Sequence, residues 1–221
     1  MYEKDREKIL DGGENLINSY GDLDERQIDV LREIGNIGAG NAATSLSVLI
    51  NEGVNISVPE LKLLDYEGVI RAIGDPEELG IAIMIKYVGE IQGIVLFLLD
   101  YKDAENIADI LIQEDDAPKQ EGLSEMTIST IKEIGNILGS SYLGSISTLT
   151  GLKYDISVPF VSIDMLGAIM STPLLEYSLD ESKILFIEES FSTEMHSLQS
   201  HVILFADIKS LNKILTQLGI E

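Results

Sequence analysis

An α+β domain made of two copies of one unit is the fold this sequence predicts, and three observations predict it. The run DVLREIGNIG at 29–38 recurs as STIKEIGNIL at 129–138, one hundred residues later. Each copy then reaches Ile-Ser-Val-Pro at the same distance, ending at Pro59 and at Pro159. Each half also reads as helix, strand, hairpin, helix, which leaves it too few strands for an independent sheet. Two such units predict a single domain of two pseudo-two-fold related repeats. Its architecture is a roughly six-stranded antiparallel sheet with two long helices packed on one face. The boundaries are an N-terminal tail at 1–23, repeat 1 at 24–112, a linker at 113–122 and repeat 2 at 123–221, the repeats merged into one domain.

Asp24 is placed to cap the first long helix, with Gln27 completing a capping box. Leu31, Ile34, Gly38, Ala42, Ser45 and Leu49 then recur at the three-and-four spacing of a packed face; the helix runs to about Asn51, and Gly53 ends it. Val54–Leu64 is strand-like and carries Pro59. A turn follows at Gly74-Asp75-Pro76. Gly80–Tyr87 and Ile91–Leu99 form a hairpin, and Asp100–Ile112 returns to helical spacing. In the second half Ser124–Thr150 is the long helix, closed by Gly151, and Leu152–Asp164 is the strand with Pro159. Met165–Leu175 is ambiguous, with room for a short helix before Pro173. Lys183–Phe191 and His201–Asp207 read as the second hairpin, and Lys209–Leu218 as the closing helix.

Composition narrows the function. A formal charge of −23 excludes a phosphate-backbone binder, since no basic stripe exists to release counterions. Without cysteine there is no disulfide and no thiolate metal site. The N-terminus lacks the apolar stretch of a secretory signal, and no apolar run reaches the ~20 residues of a membrane span. The expectation is a cytoplasmic protein without membrane insertion.

On a helical wheel Asp29, Glu33 and Asn36 fall within roughly 60° of one another, away from the apolar stripe. Gly40, Ala43 and Ser47 continue that lane. Ser129, Glu133, Asn136, Ser140, Leu143 and Ser147 repeat it. A solitary Glu/Asn pair reads as solvated surface; a pair repeated with matched prolines points to a duplicated active surface. The asparagine amide can hold a water while donating to a second acceptor, and the glutamate can pair with a lysine or polarise that water. An amide that orients water for in-line attack is an arrangement used in phosphoryl transfer. Neither lane contains a lysine or arginine, so a partner is expected to bring the cation. Tyr142 and Leu143, where the first copy has Ala42 and Ala43, predict different access to the two sites.

These runs, with the signature [DS]-x-x-x-E-x-x-N-x22-P present in both halves, resemble the CheC family of chemotaxis phosphatases, in the CheC/CheX/FliY group. The resemblance spans about Leu23–Gly219. It implies hydrolysis of the aspartyl phosphate on the response regulator CheY, with Glu33/Asn36 and Glu133/Asn136 as catalytic pairs. Asn would place the water and Glu would pair with the regulator's lysine. Asp29, Ser129, Pro59 and Pro159 support the motif. Mg²⁺ would sit on the regulator, with no metal or cofactor on this chain. The resemblance also implies binding of the receptor deamidase CheD near Ile163–Ile169, with Asp164 as the contact; a helix-capping aspartate is the competing reading. A non-catalytic receiver-binding module of the flagellar switch, FliY- or FliM-like, is the alternative function.

Three other signals lead nowhere. Gly35-Asn36-Ile37-Gly38-Ala39-Gly40 has the wrong order and setting for a nucleotide loop. His196 and His201 lack a second pair to complete a metal site and read as surface or edge residues. Asn55-Ile56-Ser57 is a glycosylation sequon only in a secreted protein.

Overall fold

The computed structural model describes residues 16–104, 123–176, 184–193 and 197–220. The expected linker, most of the helix expected over 100–112, and His196 lie outside them. The elements run α1 (Glu25–Ile50), β1 (Asn55–Leu64), α2 (Tyr66–Ile73), β2 (Leu79–Gly89) and β3 (Gly93–Asp100) in the first half. The second half runs α3 (Glu125–Thr150), β4 (Tyr154–Ile156), β5 (Phe160–Met165), α4 (Leu166–Glu176), β6 (Ile184–Ser192), β7 (Ser197–Ala206) and α5 (Ile208–Gln217).

The two long helices start where their caps dictate. The Asp24 carboxylate accepts from the Gln27 amide at 2.8 Å, and Gln27 Oε1 accepts from the Asp24 amide at 3.0 Å. Ser124 Oγ accepts from the Thr127 amide at 3.0 Å. Each helix then runs 26 residues, about 39 Å at 1.5 Å per residue. Helix α1 stops at about Asn51, as expected, but Asn51 itself (φ 53°) is the left-handed stop and not Gly53, whereas Gly151 (φ 73°) closes α3 as expected.

All seven strands join one antiparallel sheet in the order β1-β6-β7-β3-β2-β4, with β5 also on β2. That order reads the same from either end once the halves are exchanged. The outer strand of each half pairs not with its own hairpin but with the other's. β1 lies on β6, from Asn55 opposite Ser192 to Leu64 opposite Ile184. β4 and β5 lie on β2. Lys62 ties the first seam, its ammonium 3.0 Å from both Glu60 and Glu188. At the second seam the Ser157 amide donates to the Lys86 carbonyl, and Glu90 accepts from the Lys153 amide.

The expected pair of long helices shares one face of this sheet. Leu31, Ile34, Ile131 and Ile134 meet Ile83, Ile85, Val95 and Leu185 in the main core. The opposite face, left bare in the sequence reading, is covered by α2 and α4, whose Val69, Ile73, Leu166 and Met170 bury Leu96, Leu98, Phe186 and Ile203. Asp65 caps α2 by accepting from the Gly68 amide. The expected turn at 74–76 begins only after α2 has formed. Carbonyls in and just after this turn then take the first amides of α4, Leu166 donating to Glu78 and Gly167 to Pro76. Helix α4 continues through Pro173 to Glu176, longer than the sequence suggested. The described end of the expected tail is built into the core. Ile17, Tyr20 and Leu23 are buried, Asn212 exchanges two hydrogen bonds with the Ile17 backbone, and the Tyr20 hydroxyl bridges the amide and carbonyl of Ala206.

Glycine inside α3 has a packing reason. A Cβ at Gly135 would lie 2.3 Å from Ile83 Cγ2, and Ile83 is fully buried. Gly135→Ala should therefore lower stability by about 1–3 kcal/mol, although alanine is the better helix former by about 1 kcal/mol. Chemical denaturation checks this; a stabilised variant would mean that α3 does not press on β2.

Candidate active site

The two Glu/Asn pairs occupy equivalent ground on α1 and α3. Residue for residue, the pattern of buried, half-buried and exposed positions over 25–40 recurs over 125–140. Glu33, Asn36, Glu133 and Asn136 are exposed in that pattern, as are Asp29 and Ser129. The neighbours Ile34, Gly35, Ile134 and Gly135 are buried. The apolar residues thus fix each helix on the sheet and turn Glu and Asn, one helical turn apart, toward solvent. Two groups three residues apart stand ~4.5 Å apart along the axis, close enough to address one small group together.

The lane is shorter than its sequence suggested. Ala43 and Leu143 are buried, and so are Ala42 and Tyr142, so none of the four governs access to the pairs. Tyr142 lies instead at the crossing of the two helices. A Cβ on Gly38 would lie 2.8 Å from Tyr142 Cδ1, and Asn41 Nδ2 donates to Ser145 Oγ at 3.1 Å. Ser47 and Ser147 hold the segments after their helices: Ser47 Oγ accepts from the Val54 amide, and Ser147 Oγ donates to the Leu152 carbonyl. Gly40, by contrast, faces open space.

The prolines sit where pairing is interrupted. Pro59 lies in the irregularity of β1 between Ser57 and Glu60. Pro159 lies in the gap between β4 and β5, where Ser157 exchanges hydrogen bonds with the Lys86 backbone. A residue without an N–H suits both places. Asp164 is exposed on β5, opposite Gly80, and its carboxylate accepts from the adjacent Met165 amide. It precedes the start of α4 by two residues and does not cap it in the usual way, from N2 or N3. Leu79, Ile163 and Met165 are exposed around it. Among the described residues no three His, Asp or Glu side chains gather as a metal site. His201 is not an edge residue: it lies on β7, inside the sheet, half-buried against Phe186.

One pair of residues escaped the sequence reading. Arg32 and Lys132 fall outside the 60° lane yet only about 40° from Asn36 and Asn136 on the wheel. Arg32 Nη2 donates to Asp29 Oδ1 at 2.7 Å. The signal was available in the spacing, since i and i+4 are surface neighbours.

Residues 27–63 and 126–163 match the CheC-like family, each segment holding one Glu/Asn pair and its proline. Over 203 residues the chain is 32% identical to the protein named CheY-P phosphatase CheC of Bacillus subtilis (strain 168), covering 90% of this chain and 97% of that one. The chain belongs to the CheC-like family. A second CheC-like relative, the flagellar motor switch phosphatase FliY of the same organism, is 34% identical over 147 residues, which is 66% of this chain but 38% of that protein. The CheC-like fold is also seen in the crystal structure of Thermotoga maritima FliY. It superposes with a TM-score of 0.73 at 24% identity, over 89% of this chain and 98% of that one. No described helix is long and apolar enough to cross a membrane.

Proposed function

We propose that this protein is a chemotaxis phosphatase that hydrolyses the aspartyl phosphate of the response regulator CheY. The observation that carries the reading is the twinned presentation of Glu33/Asn36 and Glu133/Asn136, exposed on the two long helices in a chain 32% identical to a protein named CheY-P phosphatase CheC. The side-chain amide of Asn36 or Asn136 holds a water in line with the phosphorus. Attack forms the new P–O bond, the acyl-phosphate P–O bond breaks, and inorganic phosphate and a free aspartate carboxylate result. Glu33 or Glu133 pairs with the regulator's lysine and so fixes the approach of the two proteins. Mg²⁺ belongs to the regulator. Most of the catalytic gain on this account is positioning of the water, which needs no titrating group on this chain. Phosphate release from a phosphorylated receiver domain, with and without this protein, tests the reading. Binding without faster release would make the protein a receiver-binding module instead.

A second partner, the receptor deamidase CheD, is proposed to dock at the β5 edge around Asp164. The exposed Leu79, Ile163 and Met165 beside that carboxylate supply an apolar contact area there. Asp164→Lys should weaken deamidase binding by at least about tenfold, since a reversed charge at an interface costs several kcal/mol. Dephosphorylation by the isolated protein should hardly change. A titration giving parental affinity would remove Asp164 from that interface.

A further inference from the structure

The two copies of the lane differ in one charge relation. At the first, Arg32 is held by Asp29 three residues earlier, in a 2.7 Å ion pair. At the second, position 129 is serine, and Lys132 has no carboxylate within ion-pair distance among the described residues. The residues three and four positions away on the helix, Ile128, Ser129, Gly135 and Asn136, include no acidic one. The first lane therefore holds two carboxylates against one engaged cation, the second one carboxylate against a cation that is unpaired among the described residues. Both cations lie one turn before the asparagine, on its side of the lane, where i and i+4 side chains are about 5–6 Å apart at Cβ.

We infer that Lys132 is a further substrate-contacting residue of the second site, its ammonium meeting the phosphoryl oxygens above Asn136, and that Asp29 withholds Arg32 from the same task at the first. This rests on the phosphatase reading above and deepens it. Negative charge spreads over the equatorial oxygens as the phosphoryl group transfers, and a cation delivered there favours the transition state. An arginine committed to a neighbouring carboxylate must first give up that pair. The two sites are consequently unequal, the second faster. Because Lys132 is exposed, its contribution is screened by salt, which makes it a few-fold effect and gives it a signature.

The test measures phosphate release from a phosphorylated receiver domain by single-site proteins, over a range of ionic strength. Asn36→Ala, which leaves the second site, should retain most of the parental rate, and Asn136→Ala should retain the lesser part. In the Asn36→Ala background, Lys132→Gln should lower kcat about three- to tenfold and flatten the salt dependence, while Lys132→Arg should restore both. In the Asn136→Ala background, Asp29→Ser should raise the rate by freeing Arg32. All four positions are exposed, so folded protein is expected, and circular dichroism confirms it for each variant. Equal single-site rates, or Lys132→Gln without effect where the double Asn36→Ala/Asn136→Ala protein is inactive, would overturn this inference alone. A double variant as fast as the parent would overturn the phosphatase reading and the role of Lys132 with it.

Discussion

Replacing Asn36 and Asn136 together by alanine is expected to abolish the accelerated loss of phosphate from the receiver domain. Loss of a single preorganised polar contact to the reacting group typically costs about 10²–10³ in rate, and here both sites lose theirs. The fold should be untouched. Both asparagines are exposed, neither caps a helix, and substitutions at such positions usually shift stability by less than about 0.5 kcal/mol. The measurement is phosphate release beside a thermal melt. A double variant with parental rate and melt would sink the proposed role of the asparagines.

The second large effect concerns Glu189, which takes no part in that chemistry. It lies on β6 on the same sheet face as Leu185 and Ile187, 2% exposed, opposite Ser200. The only described hydrogen bond to its carboxylate, from Ser200 Oγ, is 3.4 Å long, and the second carboxylate oxygen has no partner among the described residues. Burial pushes its carboxyl from 4.5 up to about 8, against the small opposing effect of Ser200. The folded chain thus prefers the protonated acid more strongly than the unfolded chain does. The buried group imposes no charge cost below the unfolded value of about 4.5. The cost grows as pH rises toward 8, so this residue makes stability fall across that window. By about pH 7 it amounts to a few kcal/mol. Glu189→Gln should raise stability at pH 7–8 by that order and remove this part of the pH slope. Parallel denaturation series from pH 5 to 8 check it. Parallel slopes for parent and variant would mean that the carboxylate finds a stabilising partner.

Much of this was legible from local chemistry. The capping box of α1, the Gly151 stop of α3 and the exposure of the Glu and Asn positions on both helices depend on residues within a few positions of one another. Helix α2 was not, because eight residues with two buried side chains carry little periodic signal. Its cap at Asp65 was the available clue. The covered second face had a clue as well. Ile94–Leu99 is uninterruptedly apolar, as a strand buried on both sides should be, and not alternating. The exchange of outer strands between halves could not be read at all. Within either half the local pattern is the same whichever hairpin the strand joins. Arg32 and Lys132 lay outside the lane because they stand about 100° from Glu33 and Glu133 on the wheel, although only about 40° from Asn36 and Asn136. Glu189 was missed because a carboxylate in a strand normally faces water, and only the packed sheet shows that this one does not.

The crossed seams of the sheet also bear on how such a chain could arise. Each repeat's outer strand pairs with the other repeat's hairpin, so a lone copy that kept this arrangement would present a self-complementary edge to a twin. An ancestral chain of half this length is therefore most simply a two-fold homodimer with two identical sites, assembled only above some threshold concentration. Tandem fusion makes that encounter intramolecular and independent of dilution. It also releases each copy from having to match itself. A substitution in a homodimer appears twice, whereas in the fused chain one copy can carry Asp29 and Arg32 while the other carries Ser129 and Lys132 at the equivalent positions.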